Sequence, residues 1–174
     1  MATLVPKGSS VLEFGAGRMV LKDYLDATCK YTPSDSVDRG NCTFVCDLNS
    51  KTLPDFPKHD VAVFSGVLEY IHDIPRLLLH LSKYFDTVIV SYGSTDYVTD
   101  IQRRRAYGWV NDYTSQEFIA IFYRSGYDCS HLTHWASAQL VCKFTKRLQE
   151  GARVSQLSAT CKVCHHDDLL DARK

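Results

Sequence analysis

The chain has 174 residues, with 20 Lys+Arg against 20 Asp+Glu, and it is 45% apolar and 23% charged. Those proportions describe one folded domain with a sizeable core and exclude a disordered chain. A net charge of zero offers no whole-molecule attraction to nucleic acid or acidic lipid, and no apolar run approaches the ~18 residues of a membrane helix.

Met1 to Gly8 contains no apolar stretch of the kind that marks a secretory signal, which points to a cytoplasmic protein not integral to a membrane. The seven cysteines are an odd number in a chain that is not a small secreted scaffold. They read as reduced thiols, most of them packed as small hydrophobes.

The first two-thirds of the chain alternates short β-rich runs with helical stretches, which predicts a parallel sheet layered with helices. Ser10 to Phe14 is the first strand, ended by Gly15-Ala16-Gly17. A helix is expected from Met19 to Leu25, with Val20, Leu21 and Tyr24 or Leu25 facing inward. Cys29 to Thr32 reads as a second strand closing at the turn residues Pro33-Ser34-Asp35. Thr43 to Cys46 is a third strand, and Val61 to Phe64 a fourth whose unbroken apolar run suits burial on both faces. Asp73-Ile74-Pro75 opens a helix with Leu77, Leu78, Leu81 and Phe85 on one side. Thr87 to Val90 is a fifth strand. Thr114 and Glu117 form a capping box for a helix carrying Phe118, Ile119, Ile121 and Phe122, and Gly126 stops it. Ser130 to Trp135 and Leu140 to Thr145 predict an antiparallel hairpin at the sheet edge. Residues 1–146 are therefore expected to form a single domain, with 147–174 a polar tail or one extra helix.

The sharpest motif is Val11-Leu12-Glu13-Phe14-Gly15-Ala16-Gly17, a strand running into a glycine turn. Its glycines permit a tight turn and close ligand approach, and a helix beginning just beyond would offer free N–H groups. Asp35 follows Gly17 by 18 residues, about where an acid must stand to accept bonds from a ribose diol. A dinucleotide fingerprint needs a third small residue at Val20, which is branched. Glu13 is ill placed for a phosphate and well placed for an amine. A ligand with an amino-acid end, a ribose and an adenine meets all of these demands.

These residues resemble class I S-adenosylmethionine-dependent methyltransferases over roughly Val11 to Lys146. Val11 to Gly17 looks like the first motif of that family, Asp35 like the acid of the second, and Cys46-Asp47-Leu48 like the third. Phe64-Ser65-Gly66-Val67-Leu68-Glu69-Tyr70-Ile71-His72 looks like the fourth. Many members carry a further glycine where this chain has Met19. The resemblance implies a doubly wound seven-stranded α/β sheet in the order 3-2-1-4-5-7-6, helices on both faces, and S-adenosylmethionine as cofactor with S-adenosylhomocysteine as product. It implies that Glu13 serves the methionine amine and that Phe14, Gly15, Ala16 and Gly17 wrap the methionine end. Asp35 would hold the ribose, Asp47 and Leu48 the adenine, and Ser65, Gly66 and Val67 would pass beside the methionine moiety.

For the transfer itself the donor is already activated, so alignment of the acceptor matters most. His72 can act as a base, with Glu69 and Tyr70 on the same loop, and His72 serves equally well as a helix-capping residue. Tyr92, Arg104 and Trp109 are the candidate acceptor contacts. Arg103-Arg104-Arg105 with Tyr107 and Trp109 suits an anionic acceptor, RNA phosphates, or a solvated helix face. Cys161-Lys162-Val163-Cys164-His165-His166 invites a metal reading but is cramped for four ligands, and no metal is expected. The acceptor implied is a small polar molecule or a glycan-pathway sugar. An RNA methyltransferase, or a cofactor-binding module acting with a partner, remains the alternative.

Overall fold

The computed structural model describes residues 1–135 and 139–148. Seven strands form one sheet in the order β3-β2-β1-β4-β5-β7-β6. They are β1 (Ser10–Phe14), β2 (Lys30–Asp35), β3 (Phe44–Val45), β4 (Val61–Ser65), β5 (Thr87–Tyr92), β6 (Tyr127–Trp135) and β7 (Gln139–Lys146). The first five run parallel, and β7 lies antiparallel between β5 and the edge strand β6. The seven-stranded order and the terminal hairpin are those expected.

Alternation along the strands divides the core in two. Leu12, Phe14, Ala62, Phe64, Val88 and Val90 face the helices α1 (Ile74–Leu81) and α3 (Ser115–Arg124). Leu77, Leu78 and Leu81 on α1, and Phe118 and Phe122 on α3, are fully buried against them. Val11, Val61, Val63 and Ile89 face the other way, under Val5 and Leu21. That second face is covered by two short 3₁₀ segments, Ala2–Leu4 and Val20–Tyr24. A third helix, α2 (Ile101–Ala106), follows β5.

The expected helix over Met19 to Leu25 is thus one 3₁₀ turn. Leu21 is buried and Leu25 packs partly against the same cluster, while Val20 and Tyr24 are 50% and 73% exposed. Met19 enters the turn in the left-handed region, φ 58°. No α-helix N-terminus stands behind the glycine turn. β2 runs on through Pro33 instead of turning there. β3 pairs only with Ser34 and Asp35, so at Pro33 the strand has a partner on one side only, where proline is tolerated. β5 extends two residues past Val90 to Tyr92.

The helix starts follow their local chemistry. Asp73 accepts from the Arg76 N–H (2.9 Å), with Pro75 in the first turn. Thr114 and Glu117 form the reciprocal box, each side chain bonded to the other residue's backbone N–H. No described helix is long and apolar enough to cross a membrane.

Candidate functional site

The parallel strands β1 to β4 all end at one edge of the sheet, and their exits form a trough. At its centre the chain leaves β1 through Gly15, at φ +65°, where a Cβ would come within 2.5 Å of Val67 Cγ2. Glycine is required there for conformation and for space. Gly15 lines two cavities that adjoin at this point, of about 530 and 300 Å³.

The larger cavity contains Glu13, Ala16, Arg18 and Ser65. The Glu13 carboxylate is nearly buried, and its oxygens accept from Tyr31 Oη (2.5 Å) and Ser65 Oγ (3.2 Å). Burial pushes its pKa up, and the two hydrogen bonds pull it back in part. A cation entering the cavity would favour the charged form. Arg18, exposed on the same wall, supplies the opposite charge.

The smaller cavity gathers Asp35, Asp47, Leu48, Gly66, Val67, Tyr70 and Ile71. Asp35 Oδ2 accepts from the Gly17 N–H (3.0 Å) and pairs with Arg39 Nε (3.3 Å). Those contacts outweigh desolvation and hold its carboxyl below the usual range. The exposed Asp47 carboxylate accepts from the Asn49 N–H (2.9 Å), while Leu48 is buried beside it. Asn49 clips the two walls together: its Nδ2 donates to the Tyr70 carbonyl (2.9 Å), and its Oδ1 accepts from the His72 N–H (3.0 Å).

The trough thus brings together Glu13, Gly15, Ala16, Asp35, Asp47, Leu48, Ser65, Gly66 and Val67. Gly17 contributes its N–H to Asp35. Phe14 departs from its expected role. Its ring is buried in the core, stacked 4.8 Å from Phe64 and edge-on to Phe56, so only its backbone reaches the turn. Tyr70 stands on the Asp47 side of the trough. His72 is exposed and lines neither cavity.

The remaining expected residues form a buried network and need correction. Glu69 is fully buried, with Oε1 accepting from the Gly93 N–H (2.7 Å) and Oε2 without a partner. Desolvation pushes its pKa up to about 7. Turned into the protein, it cannot meet an acceptor. Arg104 is 0% exposed and donates to Asp112 (2.7 Å) and to the carbonyls of Gly93 (2.6 Å) and Asn111 (2.8 Å). Tyr92 is buried too, stacked on Phe118 and donating to Asn111 Oδ1 (2.7 Å). Trp109 lies over the Arg104 guanidinium at 4.8 Å, and a Cβ at Gly93 would collide with its indole. Arg105 is ion-paired with Asp112, and Arg103 donates to Tyr107 Oη (2.8 Å). Arg104 is therefore inside the protein and cannot grip an acceptor, while Arg103 and Arg105 stay exposed on the helix face. Three consecutive arginines on a helix point about 100° apart, so one of them falls toward the inner side, and the sequence did not show which.

Tyr31, Arg18 and Asn49 were not legible beforehand. Tyr31 lies on the neighbouring strand two residues before Pro33, the partner of Glu13, and so on the same face, which is the signal that strand pairing would have supplied. No three or more His, Cys, Asp or Glu among the described residues are placed to hold a metal ion. Cys161, Cys164, His165 and His166 lie outside the described residues.

No protein-family model matches the chain. No curated protein matches it either. Solved structures do. A chain of the complex between the Haloferax volcanii Trm112 methyltransferase activator and a methyltransferase aligns with a TM-score of 0.69 at 12% identity, covering 84% of this chain and 86% of that one. An S-adenosylmethionine-dependent methyltransferase from Mesorhizobium loti gives 0.62 at 15% identity, covering 83% and 94%. The Burkholderia thailandensis 1,6-didemethyltoxoflavin N1-methyltransferase, solved with S-adenosylhomocysteine, gives 0.64 at 16% identity, covering 82% and 72%. Several larger matches are spanned over about half their length. The chain has the class I S-adenosylmethionine-dependent methyltransferase fold.

Proposed function

We propose that this protein binds S-adenosylmethionine along the trough and transfers its methyl group to a small polar acceptor. One observation carries the reading: two cavities meet at Gly15, one lined by Glu13 and Arg18 and the other by Asp35, Asp47 and Leu48. The donor set fits that molecule part by part. Glu13 and Arg18 match an ammonium and a carboxylate. Asp35 offers acceptor oxygens to a diol. Asp47 accepts from an exocyclic amine while Leu48 and Ile71 cover an aromatic ring. A pyrophosphate fits poorly, since the carboxylates of Glu13, Asp35 and Asp47 line the space and no α-helix N-terminus follows the turn.

When bound, the cofactor supplies an activated methyl group. The chain binds and orients it. Gly15 and Gly66 bring backbone close to it, and Asn49 holds the two walls at fixed separation. A glycan-pathway sugar is one such acceptor, suggested by a loose likeness of the Arg103 to Asn111 stretch to methyltransferases of polysaccharide pathways. An RNA acceptor is the second reading and has less basic surface behind it, because Arg104 is buried and Arg105 is paired with Asp112.

Calorimetry with S-adenosylhomocysteine tests this. Micromolar binding that Asp35→Ala weakens ~10-fold or more, the loss of a charge-assisted pair, is the expected result. Failure to bind at millimolar ligand would remove the cofactor reading.

A further inference from the structure

The trough continues past its methionine end. Ser65, Met1 and Thr3 also line a further cavity of about 550 Å³, which lies over the half of the sheet made by β5, β7 and β6. Strand register sets its floor. Ser65 stands beside Ser91, Ser91 beside Val141, and Val141 beside Thr133. Trp135 and Gln139 are paired nearer the trough edge. The Gln139 Nε2 lies 3.5 Å from where Gly66 would carry a Cβ, so this amide stands where the cavity joins the trough.

The chemistry of the wall is selective. No Asp, Glu, Lys or Arg lines it among the described residues. Lys143, next to His131 across the strands, donates to the Leu4 carbonyl (3.3 Å). What the wall offers is the hydroxyls of Ser65, Ser91 and Thr133, the Gln139 amide, two imidazoles, and a Trp135 ring that is 65% exposed. A phosphate or carboxylate moved here would shed water without meeting a cationic side chain, which is costly. A neutral hydroxylated ring loses little, because an indole covers its apolar face while hydroxyls and an amide pair with its polar groups.

We propose that this cavity is the acceptor site and that its occupant is an uncharged ring compound bearing hydroxyl groups; this rests on the cofactor reading above. Specificity would come from the absence of lysine and arginine side chains as much as from the contacts made.

Tryptophan fluorescence gives a direct test. The chain has two tryptophans, and Trp109 is packed against Gly93 and Arg104, so Trp135 reports on the cavity. With S-adenosylhomocysteine present, neutral glycosides and simple phenols are titrated beside the same scaffolds carrying a phosphate or carboxylate. Saturable quenching by a neutral ring, at least ~10-fold stronger than by its charged counterpart, is expected, and the glycoside and phenol arms distinguish the two sources of that chemistry. Thr133→Arg, at an exposed position, should reverse the preference. Equal or tighter binding of the charged compounds to the unaltered protein overturns the proposal. So does the lack of quenching by every neutral member, or an unchanged preference in Thr133→Arg. Calorimetry on the unaltered protein separates the two readings: cofactor binding without acceptor selectivity defeats this inference alone, and no cofactor binding defeats both.

Discussion

At the scale of single residues, Gly15 and Glu13 carry the most. Gly15→Ala would place a methyl group against Val67 in a left-handed conformation. The expected cost is about 1–3 kcal/mol of stability together with a loss of S-adenosylhomocysteine affinity, measurable by denaturant unfolding and calorimetry. Glu13 predicts a pH effect of definite sign. Its pKa is raised in the free protein by burial, and an ammonium beside it would lower that value again. Affinity for a ligand with a charged amine should therefore fall as pH drops and Glu13 takes up a proton. Glu13→Gln should bind more weakly and lose that part of the pH slope. Arg18→Ala tests the other half of the pair, with about a tenfold loss of affinity for the intact cofactor expected and a smaller loss for a decarboxylated analogue.

At the scale of elements, α3 and the network beneath α2 make separable predictions. Thr114→Ala removes the cap of α3 and should cost about 1 kcal/mol in chemical denaturation, with the cofactor site intact. The network joins β5, α2 and the loop after β4 through Glu69, Arg104, Tyr92 and Asn111. Arg104→Leu would strip Asp112 and the Gly93 carbonyl of a buried partner, and a loss of about 3–5 kcal/mol is expected. Glu69 acts in the opposite direction. Its folded pKa lies near 7, above the ordinary 4.5, so the native state holds the proton more tightly than the unfolded chain. Stability should then decline as pH rises from about 4.5 to about 7 and level off above that. In Glu69→Gln the decline should flatten, leaving the smaller contribution of Glu13, as followed by urea midpoints across that range. An unaltered slope in the variant would show that the buried carboxylate does not govern it.

At the scale of the whole molecule, fold and site were legible to different depths. Period-two alternation and the unbroken apolar run at Val61–Phe64 are local patterns, and they sufficed for the strands and for the two-faced sheet. Asp73 and the Thr114 box announced their helices, because capping is a contact between residues three apart. The glycine turn, Asp35 and Asp47 were readable since each stands at a strand exit, and parallel strands in this order bring such exits to one edge. The turn at Val20–Tyr24 was not readable: its apolar residues satisfy a helical period, yet two of them face solvent. Nor could Arg104 be told from Arg103 and Arg105, because inward or outward depends on what β5 and Trp109 place beneath the helix. By itself, then, the sequence determined the strand and cap positions and the acids at strand exits, all properties of residues near one another in the chain. Only the tertiary structure decided which polar side chains face the trough and which are buried in ion pairs. It also assembled the cavity beyond Ser65, whose walls come from Thr3, Ser91, Thr133 and Gln139. Those residues are far apart in sequence and meet only because β7 inserts between β5 and β6, a pairing that no short stretch of the chain encodes.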